Sequence, residues 1–192
     1  MNGPITVYTV GHSTHTTEKF LDLLERNGVT AIADVRSSPF SRHNPQFNKD
    51  TLSGELKKHG IAYVFVGKEL GARSEDPACY TGGKVRYDRL AQTSIFKAGI
   101  DRVLSGAQKY RIALMCAEKE PLDCHRTLLV SRALERLGVT IVHILSDGST
   151  EAQAQTMARL LDLVGLPQAD MFRSHDELVA TACELREQKI AY

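Results

Sequence analysis

Apolar residues along this chain alternate between two patterns. Five short runs are apolar at nearly every position: ITVYTV (5–10), VTAIADV (29–35), IAYVFVG (61–67), RIALMC (111–116) and VTIVHIL (139–145). Their length and β-branched content predict buried strands. Between and after them lie longer segments whose apolar residues recur at helical spacing. TTEKFLDLLERNG (16–28) carries Phe20, Leu21 and Leu24 and stops at Gly28. DTLSGELKKHG (50–60), SIFKAGIDRVLSGAQKY (94–110), TLLVSRALERLG (127–138) and TEAQAQTMARLLDLVG (150–165) read the same way. Glycine or asparagine at the ends of several of these segments fits helix stops.

Strands apolar throughout, each followed by a helix, predict a mainly parallel five-stranded sheet with helices on both faces. The fold class is therefore α/β, doubly wound and Rossmann-like, with strand order 3-2-1-4-5 as the expectation and a partial barrel as the other closure. Two long irregular stretches interrupt the alternation, RSSPFSRHNPQFN (36–48) and KELGARSEDPACYTGGKVRYDR (68–89). Loops of that length inside a domain are usually functional or disordered. From about Pro167 a helical tail follows, with DELVATACELREQ (176–188) as its helix and no Gly/Ser or Pro linker before it. The expectation is one domain over residues 1–192. Ile190 and Tyr192 are expected to dock on the body or on a partner subunit, the latter making a homodimer.

Composition narrows the function classes. Lys plus Arg (24) nearly cancels Asp plus Glu (23), so no global field draws the protein to nucleic acid or to an anionic membrane, and any anion affinity is local. No apolar run is long enough to span a bilayer, and MNGPITVYTV lacks the basic region and cleavage pattern of a signal peptide. A cytoplasmic protein without membrane association is expected. The four cysteines, Cys79, Cys116, Cys124 and Cys183, are sparse for 192 residues, which favours reduced thiols over a disulfide framework.

In parallel sheets the strand-to-helix loops converge at the carboxyl edge, where ligands bind. After the first strand comes Gly11-His12-Ser13, and after the second Asp34-Val35-Arg36 followed by Pro39, Ser41, Arg42 and His43. Glu69, Gly71 and Arg73 follow the third, CAEKEPLDCHR (116–126) the fourth, and Ser146-Asp147-Gly148 the fifth. Polar groups thus follow every strand, whereas the opposite edge receives mostly short turns such as Asn27-Gly28, His59-Gly60 and Leu137-Gly138.

The motifs GHS, DVR with P-x-SR and PQFN, LGAR, G-K-V-R-Y, CAEKEPLDCHR and the terminal KIAY together resemble the bacterial and archaeal family catalogued as domain of unknown function 488, in a match that runs nearly end to end. The resemblance implies no assigned activity. One departure is visible: Ala72 stands where the family pattern commonly has a second glycine before the arginine, which bears on backbone freedom in that loop.

CAEKEPLDCHR carries the most chemistry. Cys116 ends a strand, and Cys124 lies at the start of the next helix with Asp123 as its expected N-cap. A thiol there beside His125 and Arg126 favours thiolate and makes Cys124 the first candidate nucleophile. Cys116 is the second, unless it is merely a small buried hydrophobe. The order strand, Cys, loop, Arg, helix is similar to that of cysteine phosphatases and sulfurtransferases, but their loop is shorter than the nine residues between Cys116 and Arg126. Cys116, Cys124, His125, Glu118 and His12 also include soft and borderline donors, so a metal ion is a second reading, although no metal-site spacing motif is matched.

His12 and Asp34 end neighbouring strands in the expected order, and an acid orienting a histidine is a recurrent acid/base arrangement. Asp34 could instead hold Arg36 or a loop amide. Ser13, Arg36, Arg42, Arg73, His125 and Arg126 are the candidate substrate-binding residues, since arginine forks suit phosphate or carboxylate. Cys116, Cys124, Glu118, His12 and Asp34 are the candidate catalytic ones.

Two functions of different class follow. One is an enzyme, a hydrolase or transferase, acting on an anionic small molecule or nucleotide. The other is a nucleic-acid or nucleotide-binding module in which RSSPFSRH and KVRYDR grip phosphates and Phe40, Phe47, Tyr80 or Tyr87 stack on bases. Neutral overall charge weighs against the second.

Overall fold

The structure, a computed structural model, describes residues 5–191. Its strands are β1 (Thr6–Gly11), β2 (Ala31–Asp34), β3 (Ala62–Phe65), β4 (Tyr80–Thr81), β5 (Lys84–Val85), β6 (Ile112–Cys116), β7 (Thr140–Ile144) and β8 (Thr150–Ala152). Its helices are α1 (Thr17–Arg26), α2 (Lys49–Lys58), α3 (Gly67–Leu70), α4 (Tyr87–Leu90), α5 (Ser94–Ala107), α6 (Arg132–Glu135), α7 (Gln153–Val164) and α8 (His175–Ile190). A π-wound segment, Arg126–Ser131, runs directly into α6.

Six strands form one mainly parallel sheet in the order β3-β2-β6-β1-β7-β8. This corrects the expected topology in two ways. The fourth apolar strand, β6, inserts between β2 and β1, pairing Ala31 to Asp34 with Ile112 to Met115 on one side and Tyr8 to Gly11 with Ala113 to Cys116 on the other. Strands one and two are therefore not neighbours. Apolar patterning fixes which residues face inward but not which strand lies beside which, and the connection from β3 to β6 is long enough to reach any sheet position. Burial agrees with the observed order, since β6 is buried at every position whereas β3 alternates between exposed and half-buried as an edge strand does. The sixth strand, β8, pairs antiparallel with β7 through a Ser146-Asp147-Gly148 turn, in which Asp147 Oδ1 accepts from the Ser149 amide at 2.9 Å. The polar residues after the fifth strand thus form a hairpin turn.

Alternation along β6 divides the core between the faces. Ala113 and Met115 pack with Phe20, Leu23 and Leu24 of α1 and Leu52 and Leu56 of α2, while Ile112, Leu114 and Cys116 pack with Phe96, Ile100 and Val103 of α5, Leu160 and Leu161 of α7 and Leu178 and Ala182 of α8. Helices cover both faces, as the patterning requires. Ile190 packs against the second cluster, and Tyr192 lies outside the described residues. The stretch 68–89 holds α3, the β4–β5 hairpin and the start of α4.

Candidate functional site

The centre of the sheet's carboxyl edge is where β1 and β6 end side by side. His12 N donates to Cys116 O at 2.9 Å and Ser13 N to Ala117 O at 2.9 Å, which carries the pairing one turn past the strands. Gly11 allows the close approach, because a Cβ there would lie 1.9 Å from Glu118 O. Ser13 takes a positive φ of 48°, the one such non-glycine residue among those described. Ala72 does not, so its backbone lies in a region open to any residue and the missing glycine strains nothing.

After β6 the chain loops through Glu118 and returns at Cys124. Cys124 Sγ lies 3.0 Å from Glu118 Oε2 and 3.9 Å from His125 Nδ1, and Cys116 Sγ lies 3.8 Å from the same Nδ1. His125 Nε2 is 3.0 Å from Val35 O. A carbonyl only accepts, so Nε2 carries the proton and Nδ1 is the atom turned toward the sulfurs. Arg126 fixes the loop from beneath: it is fully buried, its Nη1 donates to Glu118 O at 2.7 Å, and its amide donates to Cys124 Sγ at 3.4 Å. Ser131 Oγ donates to Arg126 O at 2.7 Å across the π-wound turn, the kind of winding that recurs at functional sites. Asp123 is not the expected N-cap; it pairs with Arg186 of α8.

A second polar group fills the ends of β1 and β2. Asp34, fully buried, accepts from Arg36 Nε at 2.9 Å, Arg36 Nη2 at 2.6 Å and Tyr63 Oη at 2.6 Å. Arg36 Nη1 reaches His12 Nε2 at 3.2 Å, and Nη2 also donates to Phe47 O at 2.9 Å. Because arginine only donates, His12 Nε2 accepts; its Nδ1 therefore donates to Ser13 O at 2.9 Å. The His12 ring stacks on Phe47 with centroids 4.4 Å apart. The expected direct pairing of His12 with Asp34 is corrected accordingly, with Arg36 standing between them.

A cleft of about 210 Å³ opens over the sulfur cluster, lined by Arg36, Ser37, Ser38, Ala72, Arg73, Cys116, Ala117, Glu118 and His125. Of the residues singled out from the sequence, Cys116, Glu118, Arg36, Arg73 and His125 meet there. Cys124 lies just behind this floor, 1 % exposed. His12, Asp34 and Arg126 are buried in the supporting structure, Arg42 is exposed away from the lining, and Ser13 is half-buried in the turn after β1. Ser37 and Ser38 were missed, though they directly follow Arg36. The expected stacking platform is corrected too: Phe47 and Tyr87 are core residues, 0 % and 5 % exposed.

Burial and neighbouring groups set the charges. Burial pushes the Cys116 thiol well above its ordinary range, and hydrogen bonding to the free Cys124 and the charge of Cys124 add to this. Burial resists ionisation of Cys124 as well, but hydrogen bonding with Cys116, the Arg126 charge and His125 hold it well below its ordinary value. Glu118 is raised by burial and by Cys124. Burial also governs His12, lowered to about 4 and so neutral at pH 7.

These features sit in a recognised frame. The family described as Domain of unknown function DUF488 matches residues 16–133, well over half the chain, and the chain belongs to that family. The matched span includes DVR, LGAR and CAEKEPLDCHR but leaves out GHS and KIAY, so the end-to-end resemblance is narrower than the motifs implied. No curated protein and no solved structure matches the chain. Among the described residues, no helix is long and apolar enough to cross a membrane.

Proposed function

We propose that this protein is an enzyme, a hydrolase or group transferase, acting on a small anionic substrate of phosphorylated or nucleotide-like character in the cleft beyond β6. It would work as a single α/β domain in the cytoplasm, where thiols stay reduced. The observation that carries the reading is the convergence of Cys116, His125, Glu118 and Arg73 on one cleft of about 210 Å³. Sites of this kind combine concavity with a few convergent polar groups. Arg73 is the candidate for holding the anion, with the hydroxyls of Ser37 and Ser38 beside it, and Glu118 for moving a proton. Arg36 lines the cleft but is already bound to Asp34 on two nitrogens, so its part is to carry positive charge and hold the wall. The cleft is below the roughly 300–1,000 Å³ of drug-sized pockets, which favours a compact phosphate ester. Burial of Phe47 and Tyr87 removes half of the aromatic set that the nucleic-acid reading relied on.

The test is calorimetric titration with inorganic phosphate and nucleoside monophosphates, beside a turnover assay over a panel of phosphate esters. Binding that weakens about tenfold or more in Arg73→Ala, as expected for loss of a charge-assisted hydrogen bond, supports the reading. Absence of both binding and turnover across the panel overturns it. Tight, steeply salt-dependent binding of oligonucleotides in their place favours the binding module.

A further inference from the structure

We propose that Cys116, Cys124 and His125 bind a thiophilic divalent metal ion, zinc in the first instance, with a fourth coordination position that opens on the cleft. The three donor atoms, two Sγ and one Nδ1, all lie within 4.8 Å of one another, and every one of the three residues is buried. The sulfur-to-nitrogen distances are 3.8 and 3.9 Å. In a tetrahedral zinc site with ordinary Zn–S and Zn–N bond lengths, that edge measures about 3.6 Å. Both sulfur-to-nitrogen edges are therefore nearly at coordination size, and the two sulfurs, within 4.8 Å of each other, need side-chain rotation to reach the roughly 3.8 Å of a tetrahedral edge.

The surroundings match what a metal requires of its outer partners. Val35 O accepts a hydrogen bond from Nε2–H of His125, which fixes the ring and turns the Nδ1 lone pair to the sulfurs, the usual device for orienting a ligating histidine. The Arg126 amide, 3.4 Å from Cys124 Sγ, supports charge on that sulfur. Each sulfur coordinates as its thiolate, any proton it still carries going to solvent, and the paired thiolates neutralise a divalent ion, so the two sulfurs and the metal together carry no net charge. Two thiolates and an imidazole select zinc over hard cations such as magnesium or calcium. His12, which the sequence also offered as a ligand, is excluded because Arg36 and Ser13 O occupy both ring nitrogens.

Cys116, His125 and Glu118 all face the cleft, which puts the remaining coordination position on the open side. Three protein ligands with one open position is the pattern of catalytic rather than structural zinc. The metal site stands on the donor atoms alone, whereas the use of its open position rests on the cleft being a substrate site as proposed above.

Cobalt(II) separates the two. Full-length protein, stripped with a chelator and titrated with cobalt(II), is expected to develop near-ultraviolet thiolate-to-cobalt bands and intense visible bands of tetrahedral type, saturating at one equivalent and reversed by zinc. Cys116→Ser and Cys124→Ser are each expected to lose about half or more of the thiolate band, with circular dichroism confirming that they fold. A wild-type titration without such bands, or bands unchanged in both variants, overturns the metal site. Adding inorganic phosphate to the cobalt form then reads the open position. Shifted visible bands support it, while bands that form but ignore phosphate and every ester of the panel leave the metal standing and overturn the open position.

Discussion

Two buried polar clusters lie side by side at the carboxyl edge of the sheet, and they are built on opposite plans. Around Asp34 and Arg36 the interactions close: the carboxylate accepts from Arg36 and Tyr63, the guanidinium reaches His12 and Phe47 O, and both nitrogens of His12 are occupied. Around Cys116, Cys124 and His125 they do not. There the sulfurs and Nδ1 face one another at 3.8 and 3.9 Å, and the close side-chain partner is Glu118 at the cleft, with Oε2 3.0 Å from Cys124 Sγ, while Cys116 has the weak contact to Nδ1. A buried network in which each group has a strong partner fixes a loop geometry and does little else. One whose best donors point at a common centre, beside a cleft, is arranged for something that is not part of the chain.

Breaking the closed cluster should have the largest effect. Arg36→Ala leaves Asp34 as an uncompensated buried carboxylate, which is expected to destabilise the fold by about 3–5 kcal/mol in urea unfolding. A loss under about 1 kcal/mol would mean that the pair is not the scaffold described here.

A histidine closed on both nitrogens also occurs on β7, between β1 and α7. His143 is fully buried between Thr9 Oγ1 at 2.7 Å and Gln153 Oε1 at 2.6 Å, and burial lowers its pKa from 6.5 to about 4. The folded state therefore keeps it neutral between those values while the unfolded chain takes up a proton. Its contribution is complete above pH 6.5 and declines as pH falls toward 4, by about 3 kcal/mol in all. Urea midpoints measured across that window should fall more steeply for the wild type than for His143→Asn; parallel curves would contradict the assignment.

The smallest expected effect is that of Tyr63→Phe, which removes the hydroxyl bond to Asp34 while the two bonds from Arg36 remain. A loss of about 1.5–3 kcal/mol is expected, the range for a hydrogen bond to a charged group, and the low end applies because Tyr63 is only half-buried. A change no larger than that of an exposed tyrosine would remove Tyr63 from the closed cluster.

Much of this arrangement was readable in the chain. The five apolar runs became strands, the central ones because parallel strands covered on both faces need apolar residues on both, and the polar residues after β1, β2, β3 and β6 do gather at one edge. Strand order was not readable, since no residue in IALMC reports whether VTAIADV or ITVYTV lies beside it. The β7–β8 hairpin carried a signal, Asp147-Gly148, that favours tight turns, but the helical periodicity following it absorbed TEA into α7. In the site, residue types were legible and their roles were not. Arg36 and Arg126 look alike in sequence to any anion-binding arginine, and only tertiary packing commits the first to Asp34 and the second to the carbonyls of Glu118 and Lys119. The Cys116, Cys124 and His125 cluster escapes motif reading because one ligand comes from a strand end and the other two from the start of the next turn.

The contrast between a closed scaffold and an open centre is tested most directly by X-ray absorption at the zinc edge of the zinc-loaded protein. The account predicts a four-coordinate shell with two sulfurs at about 2.3 Å and nitrogen or oxygen at about 2.0–2.1 Å, losing one sulfur in Cys116→Ser. A shell of nitrogen and oxygen alone would contradict it and would make the thiol cluster as self-contained as the one around Asp34.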